Sequence, residues 1–177
     1  RLWFVVLFIP IIPLGRKHII DECVACRRHY AANQDQYAMS QQLAISGARD
    51  NFETQRTVEN ALILHAQYLS FRQVRDAAVF RGQALEEFSK SAQLRAVLAD
   101  HLESLNMYDE VWPLYQQAYE LQPDLPEARI GYARFKMTKN ELDEAHQLLD
   151  FMEEPGAGQL HHLGVLDVLA GYYQRAN

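Results

Sequence analysis

From about Asp35 onward, apolar residues recur three and four apart, the spacing that gathers them on one side of an α-helix. Leu98, Ala99 and Leu102 share one such face, and Val111, Tyr115 and Ala118 share the next. Between them lie many Ala, Gln, Glu, Leu and Arg residues, which lose little side-chain freedom in a helix. A turn at "NMYD" separates the two faces, and Pro123 closes the second. The pattern predicts helix pairs at 93–105 with 109–121 and at 127–138 with 141–153. The first thirty residues read differently. Trp3, Phe4, Val5, Val6, Phe8 and Ile9 are β-branched or aromatic and predict a strand near 2–9. Pro10 and Pro13 are expected to end that strand or mark its edge, and Gly15 allows a tight turn. "RKHII" then returns as a second antiparallel strand near 17–22, with Cys23 and Cys26 in a turn.

The helical pattern repeats. One period of 34 residues carries Leu98 and Ala99 onto Tyr132 and Ala133, Val111 onto Ala145, Tyr115 onto Leu149 and Ala118 onto Met152. Ala99, Ala133 and Ala145 are small where packed helices must approach closely. "LRAVLADHLESLNMYDEVWPLYQQAYELQPDLPEA" and the stretch after it thus resemble tetratricopeptide repeats. Departures from that family's pattern are Arg95 and Arg129 at its Trp position, and Ala99 and Ala133 at its Gly position. Pro155 falls early, and "LAGYYQRAN" reads as the first helix of a third repeat, cut before its partner. Pro113, with Asp109 as N-cap, is expected in the first part of its helix. Upstream, "ALILHAQYLSFRQVRDAAVFRGQALEEF" reads as a divergent hairpin with Ala66 and Ala78 at the small positions. Before it, "QYAMSQQLAISGARDNFETQ" reads as a helix ending near Gly47.

At the head, "WFVVLFIPIIPLG" followed by "ECVACRRHY" resembles the closing half of small bacterial zinc-ribbon domains. The resemblance implies one structural zinc held by four thiolates, two of them from Cys23 and Cys26. The other pair would precede the Trp strand and is missing here, so truncation is the expectation. His18 and His29 flank the pair and offer an alternative completion, but His29 is close for a shared tetrahedron. A redox dithiol is the remaining chemistry, without the strand–helix–strand context it needs. Leu2 to Leu14 is shorter than the ~20 residues of a membrane span and holds two prolines. "GRKHII" follows it in place of the small residues of a signal cleavage site.

The expected fold class is therefore mainly α: tetratricopeptide-like helical hairpins in an α-solenoid, with a small N-terminal β zinc-ribbon remnant. The divisions are 1–32 for the ribbon-like hairpin, 33–91 for a helical connector or divergent repeat, and 92–177 for the repeats.

Charge narrows the partners. The 177 residues carry a net −6, but residues 1–32 hold five Lys and Arg against Asp21 and Glu22, a local +3, which leaves −9 for the rest. Phosphate binding needs clustered cations, so an acidic body argues against nucleic acid. Two cysteines exclude a disulfide framework.

Catalytic candidates are few. His161 and His162 are adjacent, where a helix-borne metal site needs a spacing of four. Neighbouring acids such as Glu86 and Glu87 point apart on a helix. Ser40, Ser46 and Ser70 lack an elbow of glycines, and Trp112, Tyr172 and Tyr173 read as packing residues. The expectation is a non-enzymatic scaffold for protein–protein interaction, cytoplasmic in location. A thiol redox protein and a membrane-associated scaffold are the alternatives. The repeat resemblance implies a protein or peptide in the concave face lined by first helices, touching Asp100, Glu103, Arg134, Met137 and Asp167.

Overall fold

The computed structural model describes residues 2–6, 9–15, 17–22, 29–153 and 168–174, with side chains over 33–152 and 168–174. Four short strands open the chain: β1 (Leu2–Val6), β2 (Ile9–Gly15), β3 (Lys17–Glu22) and β4 (His29–Asn33). They form two antiparallel pairs, β1 with β2 and β3 with β4. Strands at 2–6 and 17–22 match the expected positions, but their partners differ. Pro10 and Pro13 do not end the first strand; they lie inside its partner, β2. The register explains how. Phe4 pairs with Ile12 and Val5 with Pro10, so Ile11 is extra; Trp3 pairs with Pro13 and Leu2 with Gly15, so Leu14 is extra. Each proline thus flanks a bulge in a two-stranded sheet, where a missing N–H costs the ladder little.

Seven helices follow: α1 (Gln34–Thr54), α2 (Val58–Ser70), α3 (Val74–Glu87), α4 (Ala92–Glu103), α5 (Tyr108–Leu121), α6 (Pro126–Thr138) and α7 (Leu142–Leu149), the last running into a 3₁₀ turn at Asp150–Glu153. Residues 168–174 form a further helix, α8. Local chemistry sets several starts. Asn33, Thr57 and Ser91 each accept a bond from a first-turn amide, and Pro126 opens α6 where no donor is needed. Helix α1 runs straight through Gly47, so the expected end there is wrong. Gly47 costs a helix only about 1 kcal/mol relative to Ala, and α1 offsets that by burying Ile45, Ala48 and Phe52. Pro113 sits six residues into α5, deeper than expected, because Met107 and not Asp109 is the N-cap.

The turns inside the hairpins reveal the repeat most sharply. Arg72, Asn106 and Asn140 have φ of 58°, 59° and 61° and stand 34 residues apart. After each, an amide reaches back to the helix it leaves: Gln73 N to Tyr68 O at 2.8 Å, Met107 N to Leu102 O at 3.1 Å, Glu141 N to Lys136 O at 3.0 Å. This is the left-handed ending that satisfies otherwise orphaned carbonyls. The same period runs through the core. Leu64 and Leu98 are buried in α2 and α4, and Ala77, Val111 and Ala145 are buried in α3, α5 and α7. Consecutive helices pack on each other, and first helices also pack on first helices, α2 on α4 and α4 on α6. The architecture is a stack of tetratricopeptide-like helical hairpins, and its period begins at α2.

The sequence register for α2 and α3 was one residue off. Ala66 and Ala78 are only half-buried; His65 and Ala77 fill the small positions. Arg95 and Arg129, at the Trp position, both bond carbonyls, and the Arg129 guanidinium also lies 4.3 Å from the centre of the Phe151 ring. Arg95 Nη1 reaches Ser91 O at 3.2 Å, and Arg129 Nε reaches Leu148 O at 2.9 Å.

Gly131 in α6 lies flat against Tyr115 of α5, and a Cβ there would overlap three atoms of the ring. Gly131→Ala is expected to destabilise by about 1–3 kcal/mol, as overpacking does. Gly47 has open space at its Cβ. Gly47→Ala is expected to stabilise by about 0.5–1 kcal/mol. Urea unfolding of both variants checks the pair; equal effects would show that α5 and α6 do not pack this closely.

Candidate functional site

The arrangement centres on Tyr115, buried at the junction of α4, α5 and α6. Its hydroxyl bonds Asp100 and lies 3.2 Å from Glu103, both on α4. Arg134 of α6 donates from Nη2 to the same hydroxyl at 2.8 Å. Arg134 Nη1 bonds Glu103 Oε1 at 3.0 Å, and its guanidinium lies 5.4 Å from the Tyr115 ring centre. Burial, followed by the bond to Asp100, raises the Tyr115 pKa, so the hydroxyl stays neutral at physiological pH. One cation thus faces two carboxylates.

Beside this cluster opens a cleft of about 410 Å³, lined by Glu103 and Arg134, by Tyr108 and Trp112 of α5, and by Val168 and Tyr172 of α8, among others. Its floor is part of an aromatic ladder. Tyr108 stacks on Trp112 at 5.6 Å, Trp112 on Phe135 at 5.7 Å, Phe135 on Tyr132 at 6.1 Å, and Tyr132 on Tyr119 at 5.1 Å. A larger cleft of about 660 Å³ lies among α1, α2 and α3. Its cations are engaged within the fold: Arg49 bonds Tyr68 at 2.9 Å, and Arg56 bonds Glu87 at 3.2 Å.

Among the five residues singled out for partner contact, Asp100, Glu103 and Arg134 come together, held by one another through Tyr115. Met137 also lines the cleft, but it is 1% exposed, because its turn of α6 packs against α7. Asp167, Cys23 and Cys26 lie outside the described residues. Sequence reasoning assigned Trp112 and Tyr172 to packing alone. Both are half-buried and line the cleft, as does Tyr108. Among the described residues, no three His, Cys, Asp or Glu side chains group to hold a metal ion, and no helix is long and apolar enough to cross a membrane.

Comparison with known proteins agrees with this architecture. Residues 107–154, from α5 through α7, match the family model of the tetratricopeptide repeat. A solved structure described as the crystal structure of MamA protein is similar, with a TM-score of 0.51 at 16% identity, over 81% of this chain and 84% of that one. At that identity the likeness speaks to the fold alone. The comparison with curated proteins finds no match.

One repeat earlier, the equivalent junction is built from different groups. His65 of α2 is fully buried and stacks on His101 of α4, with their Nδ1 atoms 3.0 Å apart. Arg81 of α3, also buried, pairs with Glu110 of α5. Burial, then the neighbouring His101 and Arg81, push the His65 pKa down to about 3. Burial also lowers that of His101, against the pull of Asp100. Below about pH 6.5 the unfolded chain takes up protons at these rings more readily than the folded one. Stability is therefore fully present above that pH and falls as the pH drops towards 3. His65→Ala, which installs the alanine found at Ala99 and Ala133, is expected to flatten the decline. The wild-type slope from His65 approaches about 1.4 kcal/mol per pH unit. Urea midpoints between pH 7.5 and pH 4 are the measurement; an identical slope in the variant would acquit His65.

Proposed function

We propose that the chain is a non-enzymatic scaffold that captures a segment of another protein in the cleft formed by α4, α5, α6 and α8. The carrying observation is that cleft. It sets aromatic side chains from two helices beside a rigid Arg134–Glu103 pair, on the face where successive first helices line up. Half-buried Trp and Tyr offer large contact area at low entropic cost, and they dominate the energetics of many interfaces. The resemblance to tetratricopeptide repeats supports the same reading, since helical-hairpin arrays generally bind protein partners along the face of their first helices.

Selection from a displayed peptide library tests this reading. Selected peptides are expected to bind Trp112→Ala at least tenfold more weakly, about 1.4 kcal/mol. They are expected to bind Val79→Asp, in the other cleft, as they bind wild type. Peptides indifferent to Trp112, or weakened only by the Val79 change, would remove the cleft from consideration. Circular dichroism establishes that each variant is folded.

The same reading gives the head a structural zinc ribbon, with Cys23 and Cys26 as two of four ligands. Its support is local. In sequence the two cysteines fall between Glu22 and His29, whose Cα atoms pair across β3 and β4. A C-x-x-C supplies two of the four thiolates that a tetrahedral zinc site takes. When bound, zinc would supply folding free energy on the order of 10 kcal/mol, not chemistry. In a protein that also carries the second thiolate pair implied by the resemblance, one zinc is expected to survive dialysis. It is expected to leave when Cys23 and Cys26 are both changed to Ser. Metal analysis that finds the zinc retained in the double variant would place it elsewhere.

A further inference from the structure

We infer that the segment captured in this cleft is basic, and that it inserts a lysine or arginine side chain between the end of the aromatic ladder and the carboxylates of Asp100 and Glu103. The inference rests on the cleft reading above and names its partner's chemistry.

Three observations carry it. The first is local charge. Among the described residues Arg134 is the one cation bonded into the cluster, against two carboxylates, which leaves these groups with a net negative charge. Asp100 keeps 48% of its side chain exposed, open to a second cation. The second is the ladder itself. It already carries cations within the fold: Lys139 Nζ lies 5.5 Å from the centre of Phe135, and Lys136 Nζ 5.4 Å from that of Tyr132. Among the described residues no cation lies over Tyr108 or Trp112, which form the cleft end of the ladder. Tyr108 is 44% exposed there. An aromatic face next to a carboxylate attracts a guanidinium or ammonium by both its quadrupole and the adjacent charge. The third is the surrounding field. Residues 92–153 hold five Lys and Arg against twelve Asp and Glu, so the approach to the cleft favours cationic segments and repels acidic ones.

The chain has two tryptophans, so Trp3→Phe leaves Trp112 as the sole indole reporter. Two blocked peptides serve as probes, Gly-Ala-Arg-Lys-Leu-Arg-Ala-Gly and Gly-Ala-Glu-Asp-Leu-Glu-Ala-Gly. The basic peptide is expected to change Trp112 emission saturably and the acidic one to leave it unchanged. Raising salt from about 0.05 M to about 0.5 M is expected to weaken the basic peptide roughly tenfold, because exposed charges are screened. Thr138, on the exposed rim of the cleft, takes either charge without disturbing the core. Thr138→Glu is expected to tighten binding of the basic peptide and Thr138→Lys to weaken it, each about threefold. Tighter binding of the acidic peptide, inverted Thr138 effects, or no saturable response to either peptide would overturn the inference. Library peptides that depend on Trp112 but are acidic or uncharged would overturn it while leaving the cleft reading intact. An absence of Trp112-dependent peptides would overturn both.

Discussion

The ring of Tyr115 is the contact on which the second half of the structure turns. It is enclosed by α4, α5 and α6, and it lies so close to Gly131 that no side chain fits between them. That closeness sets the approach of α6 to α5. It also fixes the height at which Arg134, one helical turn beyond Gly131 on α6, meets the carboxylates of α4. The hydroxyl has a single proton. It donates that proton to Asp100 and accepts from Arg134, so both its capacities are met in a place water does not reach. A buried hydroxyl left unpaired would cost about 1–3 kcal/mol. The network therefore selects one arrangement of three helices more than it adds to their stability.

The junction one period earlier uses the equivalent positions with different chemistry. Arg81 stands where Tyr115 stands, and His65 stands where Ala99 does, each 34 residues upstream. Backbone features do not follow the change: the left-handed turn and its returning hydrogen bond recur at Arg72, Asn106 and Asn140 alike. Asn tolerates that conformation better than Arg does. The repeat is thus held by its turns and by the burial of small residues at helix crossings. The space between neighbouring hairpins is left to individual solutions, an aromatic–ionic one at Tyr115 and a histidine–arginine one at His65.

This division decides what could be read from the sequence. Helix pairs from 92 onward were legible because Leu98, Ala99, Val111 and Ala118 are apolar at the expected spacing, and the structure buries all four. The hairpin at 58–87 was legible as helix but misread in register. Buried His65 and Arg81 carry no apolar signal, so Ala66 and Ala78 looked like the small positions. Gly47 and Pro113 were read by local propensity, and packing overrode both. At the head, β-branched and aromatic residues announced strands, but bulges beside Pro10 and Pro13 decide which segments pair, and no local rule gives their positions. For the candidate site, the charged members were legible from their place on first helices. The aromatic members were not, because the half-burial of Trp112 and Tyr172 depends on how α8 sits against α5 and α6.

The ionic cluster also bears on how such a cleft would work. A free arginine in a cleft is a strong anion site, and on charge alone Arg134 would make this one. Its two nearest carboxylates and the Tyr115 hydroxyl engage its terminal nitrogens instead, so an acidic ligand would have to displace bonds of 2.8 to 3.0 Å before gaining any of its own. A cationic ligand displaces nothing. It meets a carboxylate already oriented by Arg134, beside rings already stacked, and little side-chain freedom remains to be lost on binding. Preorganisation by an internal cation thus inverts the apparent specificity of the site: the arginine nearest the cleft acts as part of the receptor for positive charge.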